Sequence, residues 1–445
     1  MSSQKSILLP ELANAFKKGG IESSFNFPGF HSHELFEYLG GGVTSTNEKI
    51  AYEIAWGSSQ AGRQSLVTFK NVGLNDAADP FINSHLTGVG EGLVLVVFDD
   101  IELEGSQCIL DSRHYASFYG GLWIEPYNYE SALIFAEAAP QLSKIFDLPV
   151  VMRLTNISVA FKPGIVPNYT AQEICRLAKD VIAETDLTIE PIVHPINGDA
   201  QRNAVVTKNK LIQRFVNKLH CLINPEKNYS YIAVGSENSD ATSAIATLPV
   251  PDIEQLLSAT IQEVGDSVIA DALNLKMSNG KFASSRIGYN SKNAEHYIRT
   301  KRYERLFRLL KPNFQYITGD LGEYTKDTLN TLTHCLCFGS AVSAAMGIGI
   351  AGGTTLAITG DASYYHSAKN AWQEAVDRGL KPKLVLLDNG GSQGTGGQLV
   401  PGKIDESIEM VEIDYDMISD SELEAVVKHF CSSAGAMILK VNHEV

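Results

Sequence analysis

Two short stretches carry the residue types that bind hard cations and phosphates. Asp361 follows an apolar run in "TTLAITGDAS", and Asn389, 28 positions later, follows another in "KLVLLDNGGSQGTGG". A carboxylate and a carboxamide are both oxygen donors. Magnesium favours such ligands, and it commonly bridges one or two protein groups to a substrate phosphate. Gly360 precedes the aspartate, and Gly390, Gly391, Gly394, Gly396 and Gly397 follow the asparagine. Glycines there let the backbone come close to a phosphate. A helix starting at Asp361 would add N–H groups and a dipole that favour an anion. Either fragment alone reads as a helix cap, for Asp361, or an ordinary turn, for "DNGG". The ordered pair, at the ends of neighbouring strands, is what suggests a metal-diphosphate clamp.

Such strand ends need a sheet to hold them. From about residue 20 to 160, "SSFNF", "SLVTF", "GLVLVVF" and "PVVMRL" alternate with helical patterns, and the same alternation returns from about 311 with "FQYITG", "TTLAITG", "KLVLLDN" and "AMILKV". Strand-helix alternation predicts parallel sheets covered by helices on both faces. Ligands bind such sheets beyond the carboxyl ends of the strands. The reading is therefore an α/β chain of two open parallel-sheet domains, 1–165 and 301–445, joined by a small connecting domain over 166–300.

The bulk properties narrow the function. A chain of 445 residues, 44% hydrophobic, suits two or three globular domains. With 36 basic against 51 acidic residues the net charge is -15, which repels nucleic acid and anionic lipid. The six cysteines, at 108, 175, 221, 335, 337 and 431, form no CxxC pair, so free thiols in a reducing cytoplasm are expected. The start is amphipathic and polar, unlike a signal peptide. Residues 341–358 lack charge, but Gly352-Gly353 divides them into an expected buried helix and buried strand rather than a membrane span.

With "GDA" near 360 and "DN" at 388–389, the chain resembles the thiamine-diphosphate enzymes, whose magnesium motif is GDG followed after 25 to 30 residues by NN. Within them it is most similar to the alpha subunit of indolepyruvate ferredoxin oxidoreductase, through "STNEKIAYEIAWGSSQAG", "VTFKNVGLNDAADP", "SQCILDSRHYA", "GDLGEYT", "CLCFGSAVS", "GDASYYHS" and "LDNGGSQGTGGQLVPG". The resemblance implies a pyrimidine-binding domain first and a diphosphate-binding domain last, with thiamine diphosphate and Mg2+ as cofactors. It implies Asp361, Asn389 and the Gly391 carbonyl as metal ligands. Gly319, Asp320, Gly339, Gly360, Ala362, Ser363, Thr395 and Gly396 are implied cofactor contacts. A homodimer or higher assembly is implied because such sites often lie between subunits.

The resemblance also puts Glu48, in "TNEKIA", at the position of the glutamate that hydrogen-bonds the aminopyrimidine ring and promotes loss of the C2 proton. Ser45-Thr46-Asn47-Glu48 spells a capping box as well, so a purely structural role stands beside the catalytic one. Histidines titrate near neutrality and can handle protons or a substrate carboxylate. His31 and His366, and less strongly His33, fall in expected strand-end loops. Phe27, Phe30, Tyr364 and Tyr365 flank those loops, as pocket wall or core. Asp111 and Arg113 read as an ion pair holding a loop.

Family oxidoreductases pass electrons to iron–sulfur clusters, commonly in a C-terminal ferredoxin-like segment that this chain is expected to lack. The favoured reaction is therefore decarboxylation of a 2-oxo acid, aryl or branched, with release of an aldehyde or carboligation to an acyloin. The alternative is a catalytic subunit of a 2-oxoacid ferredoxin oxidoreductase that uses clusters on another chain. A non-catalytic assembly subunit is a third reading.

Overall fold

The computed structural model describes residues 6–100, 110–184, 198–223, 300–392, 396–400, 402 and 409–443. In the first half six strands form one sheet: β1 (Ser23–Asn26), β2 (Val43–Thr44), β3 (Ser65–Lys70), β4 (Leu93–Asp99), β5 (Leu122–Ile124) and β6 (Val150–Thr155). Every pairing is parallel, in the order β2-β1-β3-β4-β6-β5. The seven residues of β4, "LVLVVFD", are all buried, as a central parallel strand covered on both faces requires.

The second half has six more: β7 (Tyr316–Gly319), β8 (His334–Cys335), β9 (Thr355–Gly360), β10 (Lys383–Asp388), β11 (Met410–Asp414) and β12 (Met437–Asn442). Their order is β11-β12-β10-β9-β7-β8, again all parallel. Read from the other edge it is the first sheet's order repeated strand for strand. In both sheets the direction of growth reverses between β1 and β3 and between β7 and β9. Such a reversal opens a crevice at the carboxyl edge.

Alternate residues of β4 explain how the layers stack. Val94, Val96 and Phe98 face one apolar core, shared with the helices at Leu8–Gly19 and Tyr129–Phe146. Leu93, Leu95 and Val97 face the other way, into a core that the two halves share. That shared core is built around α1 (Glu48–Gln60), with α2 (Asn71–Asp76) beside it, and around α3 (Ala341–Ile350) and α4 (Lys369–Asp377) of the second half. A third core, with Leu356, Ile358, Val385 and Leu439, covers the far face of the second sheet.

Of the expected connecting span, residues 166–184, 198–223 and 300 are described. The helices at Ala171–Ala183 and Gly198–Ile223 lay Ile174, Ala178, Leu211 and Phe215 onto the first unit's core. The apolar run 341–358 is indeed a helix and a strand, divided where Gly352 adopts φ +100°. Among the described residues no helix is long and apolar enough to cross a membrane.

Candidate functional site at the carboxyl edges of two sheets

β9 and β10 pair directly, Leu387 opposite Gly360, so the residues just beyond them are neighbours. Asp361 is buried at 6% exposure. Its Oδ1 accepts the Ala362 N–H at 2.8 Å, and its carboxylate also accepts the Gly391 N–H. The same Gly391 N–H reaches Asn389 Oδ1 at 3.4 Å. The structure thus brings Asp361, Asn389 and Gly391 to one place. Burial pushes Asp361 above the ordinary carboxylate range, and the charge of Asp388 adds to that, while the N–H groups oppose it. Gly390, at φ +79°, has open space where a side chain would stand. Ser392 and Gln398 close the loop by a bridge, the Ser392 N–H donating to the Gln398 carbonyl at 2.8 Å. Gly396 lies in that turn at φ +117°, and Thr395 lies outside the described residues.

Beyond β7 the arrangement is different. Asp320 is wholly buried, and its carboxylate accepts from Tyr324 Oη at 2.6 Å, Thr359 Oγ1 at 2.7 Å and the Ser363 hydroxyl. Burial pushes it up to about 7 against those donors. Its charge is spent inside the protein, tying the end of β7 to β9 and to the turn after Asp361. Gly319 packs on Leu332, with room for no side chain. Gly339, at φ +81°, lies against Ser363 and Ser367, so the loop before α3 touches the helical turn that starts at Asp361. Residues 364–368 form a π-helical turn, a feature frequent at functional sites. His366 projects from it, with Nδ1 3.1 Å from Ser367 Oγ and its ring edge-on to Phe338 at 5.0 Å. Tyr364 is core, as one of the two readings had it.

Glu48 is the first residue of α1. The expected capping box does not form: Asn47 is the cap, its Oδ1 accepting the Ile50 N–H at 2.8 Å. Ser45 instead donates to Glu374 Oε2 at 2.7 Å, across to the second half. Glu48 is freed for another use, and its side chain lies over Gly73 of α2. A Cβ added at Gly73 would stand 2.5 Å from Glu48 Oε1 and 2.8 Å from its Cδ. Burial raises the Glu48 pKa, a helix-start N–H lowers it, and Asp76 raises it further. Asp76 Oδ2 also accepts the Lys49 N–H at 3.2 Å. Sequence reasoning missed Gly73 and Asp76, although both lie in "VTFKNVGLNDAADP".

His31 opens the helix after β1, following Phe30, whose φ is +47°. Its Nδ1 lies 3.0 Å from Glu34 Oε2 and its ring sits against Phe30 and Phe98. His33 pairs with Glu37 at 3.3 Å, on the exposed side of that helix. Nearby, Lys70 and buried Asp100 pair at 2.8 Å at the ends of β3 and β4. Asp111 and Arg113 form the expected ion pair, at 2.8 and 2.9 Å.

Between the halves, α1 crosses α3 at reciprocal glycines. A Cβ on Gly57 would stand 2.9 Å from the Ala344 carbonyl carbon, and one on Gly347 would stand 2.7 Å from Ser58 N. Beside this crossing lies a buried polar cluster. Lys49 Nζ is 3.0 Å from Glu53 Oε1, 2.7 Å from Asp79 Oδ2 and 3.4 Å from Cys337 Sγ. The Cys337 thiol donates to Glu53 Oε1 at 3.2 Å and the Ser343 hydroxyl donates to Oε2. Burial works against the Lys49 charge, but Glu53, Cys337 and Asp79 together hold it well above the usual lysine range.

Comparison with known proteins finds relatives for part of the chain's sequence and for its fold. Residues 319–437 match the family model described as the thiamine pyrophosphate enzyme, C-terminal TPP binding domain. The indolepyruvate oxidoreductase subunit IorA of Archaeoglobus fulgidus is 30% identical over 223 residues, 46% of this chain and 34% of that protein. Its counterpart from Methanothermobacter thermautotrophicus is 34% identical over 157 residues, 34% of this chain and 25% of that protein. The chain thus spans about a third or less of these two relatives' length. A solved enzyme from Mycobacterium smegmatis, assigned as thiamin diphosphate-dependent, superposes with a TM-score of 0.53 over 99% of this chain and 100% of its own. At 16% identity it speaks for the fold alone.

Proposed function

We propose that this chain, which matches the C-terminal TPP binding domain of the thiamine pyrophosphate enzymes over residues 319–437 and is similar to indolepyruvate oxidoreductase subunits IorA, converts a 2-oxo acid oxidatively with thiamine diphosphate and Mg2+. The observation that carries the proposal is the convergence of Asp361, Asn389 and Gly391 at adjacent strand ends, inside the matched region.

The donor set suits the cofactor. One carboxylate, one carboxamide oxygen and one main-chain carbonyl are hard oxygen ligands of the kind magnesium takes alongside phosphate oxygens. The buried Asp361, raised further by Asp388, is a carboxylate that a cation would stabilise. The space beside Gly390 leaves room for a phosphate.

When bound, the cofactor supplies the acidic C2 carbon that attacks the substrate carbonyl and takes up the electrons left by decarboxylation. The protein's part is to hold and to move protons. Asp361, Asn389 and the Gly391 carbonyl would fix the cation. Glu48, half-buried and with a raised pKa, would share a proton with the aminopyrimidine ring. His31, which opens the helix after β1, and His366, in the π-helical turn after β9, were expected on loops and stand on helical turns instead; from there they would meet the substrate.

The relatives' names move the preference away from simple decarboxylation or carboligation and toward the oxidoreductase alternative. The 445 residues contain no CxxC pair and only six cysteines, so under this reading the electron acceptor's clusters come from other residues than these. The test incubates the protein with thiamine diphosphate, Mg2+ and an arylpyruvate, with and without a ferredoxin or viologen acceptor. Acceptor-dependent turnover is the expected result. Acceptor-independent CO2 release with an aldehyde or acyloin product would restore the non-oxidative reading. Failure to bind the cofactor would favour an assembly subunit.

A further inference from the structure

A 2-oxo acid is an anion at neutral pH, and the strand ends already carry the carboxyl groups of Glu48, Asp76, Asp361 and Asp388. A carboxylate leaving water for such surroundings is costly unless a cation meets it. Lys70 is the last residue of β3, and β3 lies beside β1 with Thr68 opposite Asn26. The growth of the first sheet reverses between these two strands, where an open parallel sheet has its crevice.

The chain leaving β1 turns over Lys70, so that a Cβ on Gly29 would stand 3.2 Å from Lys70 Cβ. Phe30 follows at φ +47°, a region that a bulky residue rarely occupies. Ser32 fixes the turn, its N–H and its hydroxyl both donating to the Gly29 carbonyl. Strain of this kind collects at ligand-binding turns, and here it seats the His31 ring against Phe30 and Phe98. On its other side Lys70 leads into α2, and Gly73, three residues on, is where the Glu48 carboxyl lies. Lys70 is thus joined on one side to the His31 turn and on the other to the seat of Glu48.

The ammonium group is also held in place. Wholly buried Asp100 lies 2.8 Å from Lys70 Nζ through Oδ2, and its Oδ1 accepts from Asn71 Nδ2 at 2.7 Å. Asn71 Nδ2 donates in turn to the Leu110 carbonyl at 2.8 Å. The Lys70 side chain keeps 20% of its surface exposed. Arg153, by contrast, is buried between Asp99 and Glu125 at 2.6 and 2.7 Å, and Lys49 is buried between Glu53 and Asp79. An ammonium carries three donors, so pairing with Asp100 orients Lys70 without barring a second acceptor.

We propose that Lys70 is a substrate-binding residue, which takes the carboxylate of the 2-oxo acid at the crevice between β1 and β3. This deepens the function proposed above and rests on it. Lys70, His31 and Glu48 all belong to the first half of the chain.

The test loads the protein with thiamine diphosphate and Mg2+ and titrates it, by calorimetry, with a non-reactive arylacetate and with the matching arylacetamide. Lys70→Met should weaken the carboxylate roughly 10- to 100-fold and raise the KM for an arylpyruvate by a similar factor. The amide should lose at least about fivefold less, because only the carboxylate pairs with the ammonium charge. Lys70→Arg keeps that charge and should lose less than about tenfold. Cofactor affinity should stay within about threefold in each variant, because the metal ligands are untouched. Removing Lys70 alone strands the buried Asp100 carboxylate, which destabilises the fold. Lys70→Met/Asp100→Asn removes both charges and keeps an oxygen for Asn71, and the same loss of carboxylate affinity is expected from it. Equal losses for carboxylate and amide, or an unchanged carboxylate affinity in both variants, would overturn the inference and leave the cofactor reading standing. A wild-type chain that binds thiamine diphosphate but no arylacetate would do the same. A wild-type chain that binds no thiamine diphosphate brings down the cofactor reading, and the inference with it.

Discussion

Gly73→Ala offers a clean separation of function from stability. Gly73 sits inside α2, and its φ is not in the left-handed region, so alanine suits the backbone and by helix propensity is worth up to about 1 kcal/mol over glycine. The new methyl, however, would stand 2.5 Å from Glu48 Oε1 and 2.8 Å from Cδ. Ordinary carbon contacts begin near 3.5 Å, so the Glu48 carboxyl must move by about 1 Å. That move is cheap for folding, since the side chain is flexible and half-buried, but it displaces the group expected to meet the aminopyrimidine ring. A shift of that size costs roughly 100-fold in a positioned proton transfer, which is about 2.7 kcal/mol of barrier. The assay is C2 proton exchange on the bound cofactor, beside a urea unfolding curve. The expected pair is exchange down about 100-fold with stability unchanged or slightly raised. Wild-type exchange in Gly73→Ala, alongside lost exchange in Glu48→Gln, would refute the claim that Gly73 sets the position of Glu48.

Three further outcomes follow from the same structure. Asp361→Ala should weaken cofactor binding by at least about tenfold and remove its dependence on added Mg2+, as read by calorimetric titration with and without the metal. Gly347→Ala places a methyl 2.7 Å from Ser58 N, against backbone that cannot swing aside, and should cost about 1–3 kcal/mol in urea unfolding. Asp320 has a folded pKa of about 7 against an ordinary 3.8, so the native state binds the extra proton. Its contribution is fully present below about pH 4, is lost as pH rises to about 7, and is flat above. In Asp320→Asn the unfolding midpoint should vary less with pH across that window.

What could be read from the chain before folding was whatever depends on neighbours in sequence. The parallel sheets were legible in buried runs such as "LVLVVF", because a strand covered on both faces has little polar alternation. The paired strand ends at Asp361 and Asn389 were legible too, since glycines and a fixed spacing mark them. Glu48 was ambiguous in sequence because "STNE" satisfies a capping rule. The structure resolves the local geometry because Ser45 prefers Glu374, some 329 residues away. Contacts of that range leave no periodic trace, and for the same reason Gly73, Glu53 and Cys337 drew no notice as partners. The helices at Ala171–Ala183 and Gly198–Ile223 fell in a span read as connecting. Their apolar faces said that they pack, but not on which side.

The crossing of α1 and α3 has one more consequence. Each helix gives a glycine to the other's backbone, Gly57 to Ala344 and Gly347 to Ile54, and the sheets beneath them repeat one strand order. A duplicated unit meeting its own copy about a two-fold axis would leave this signature. Drift on one side of the crossing can be absorbed only by a matching change on the other.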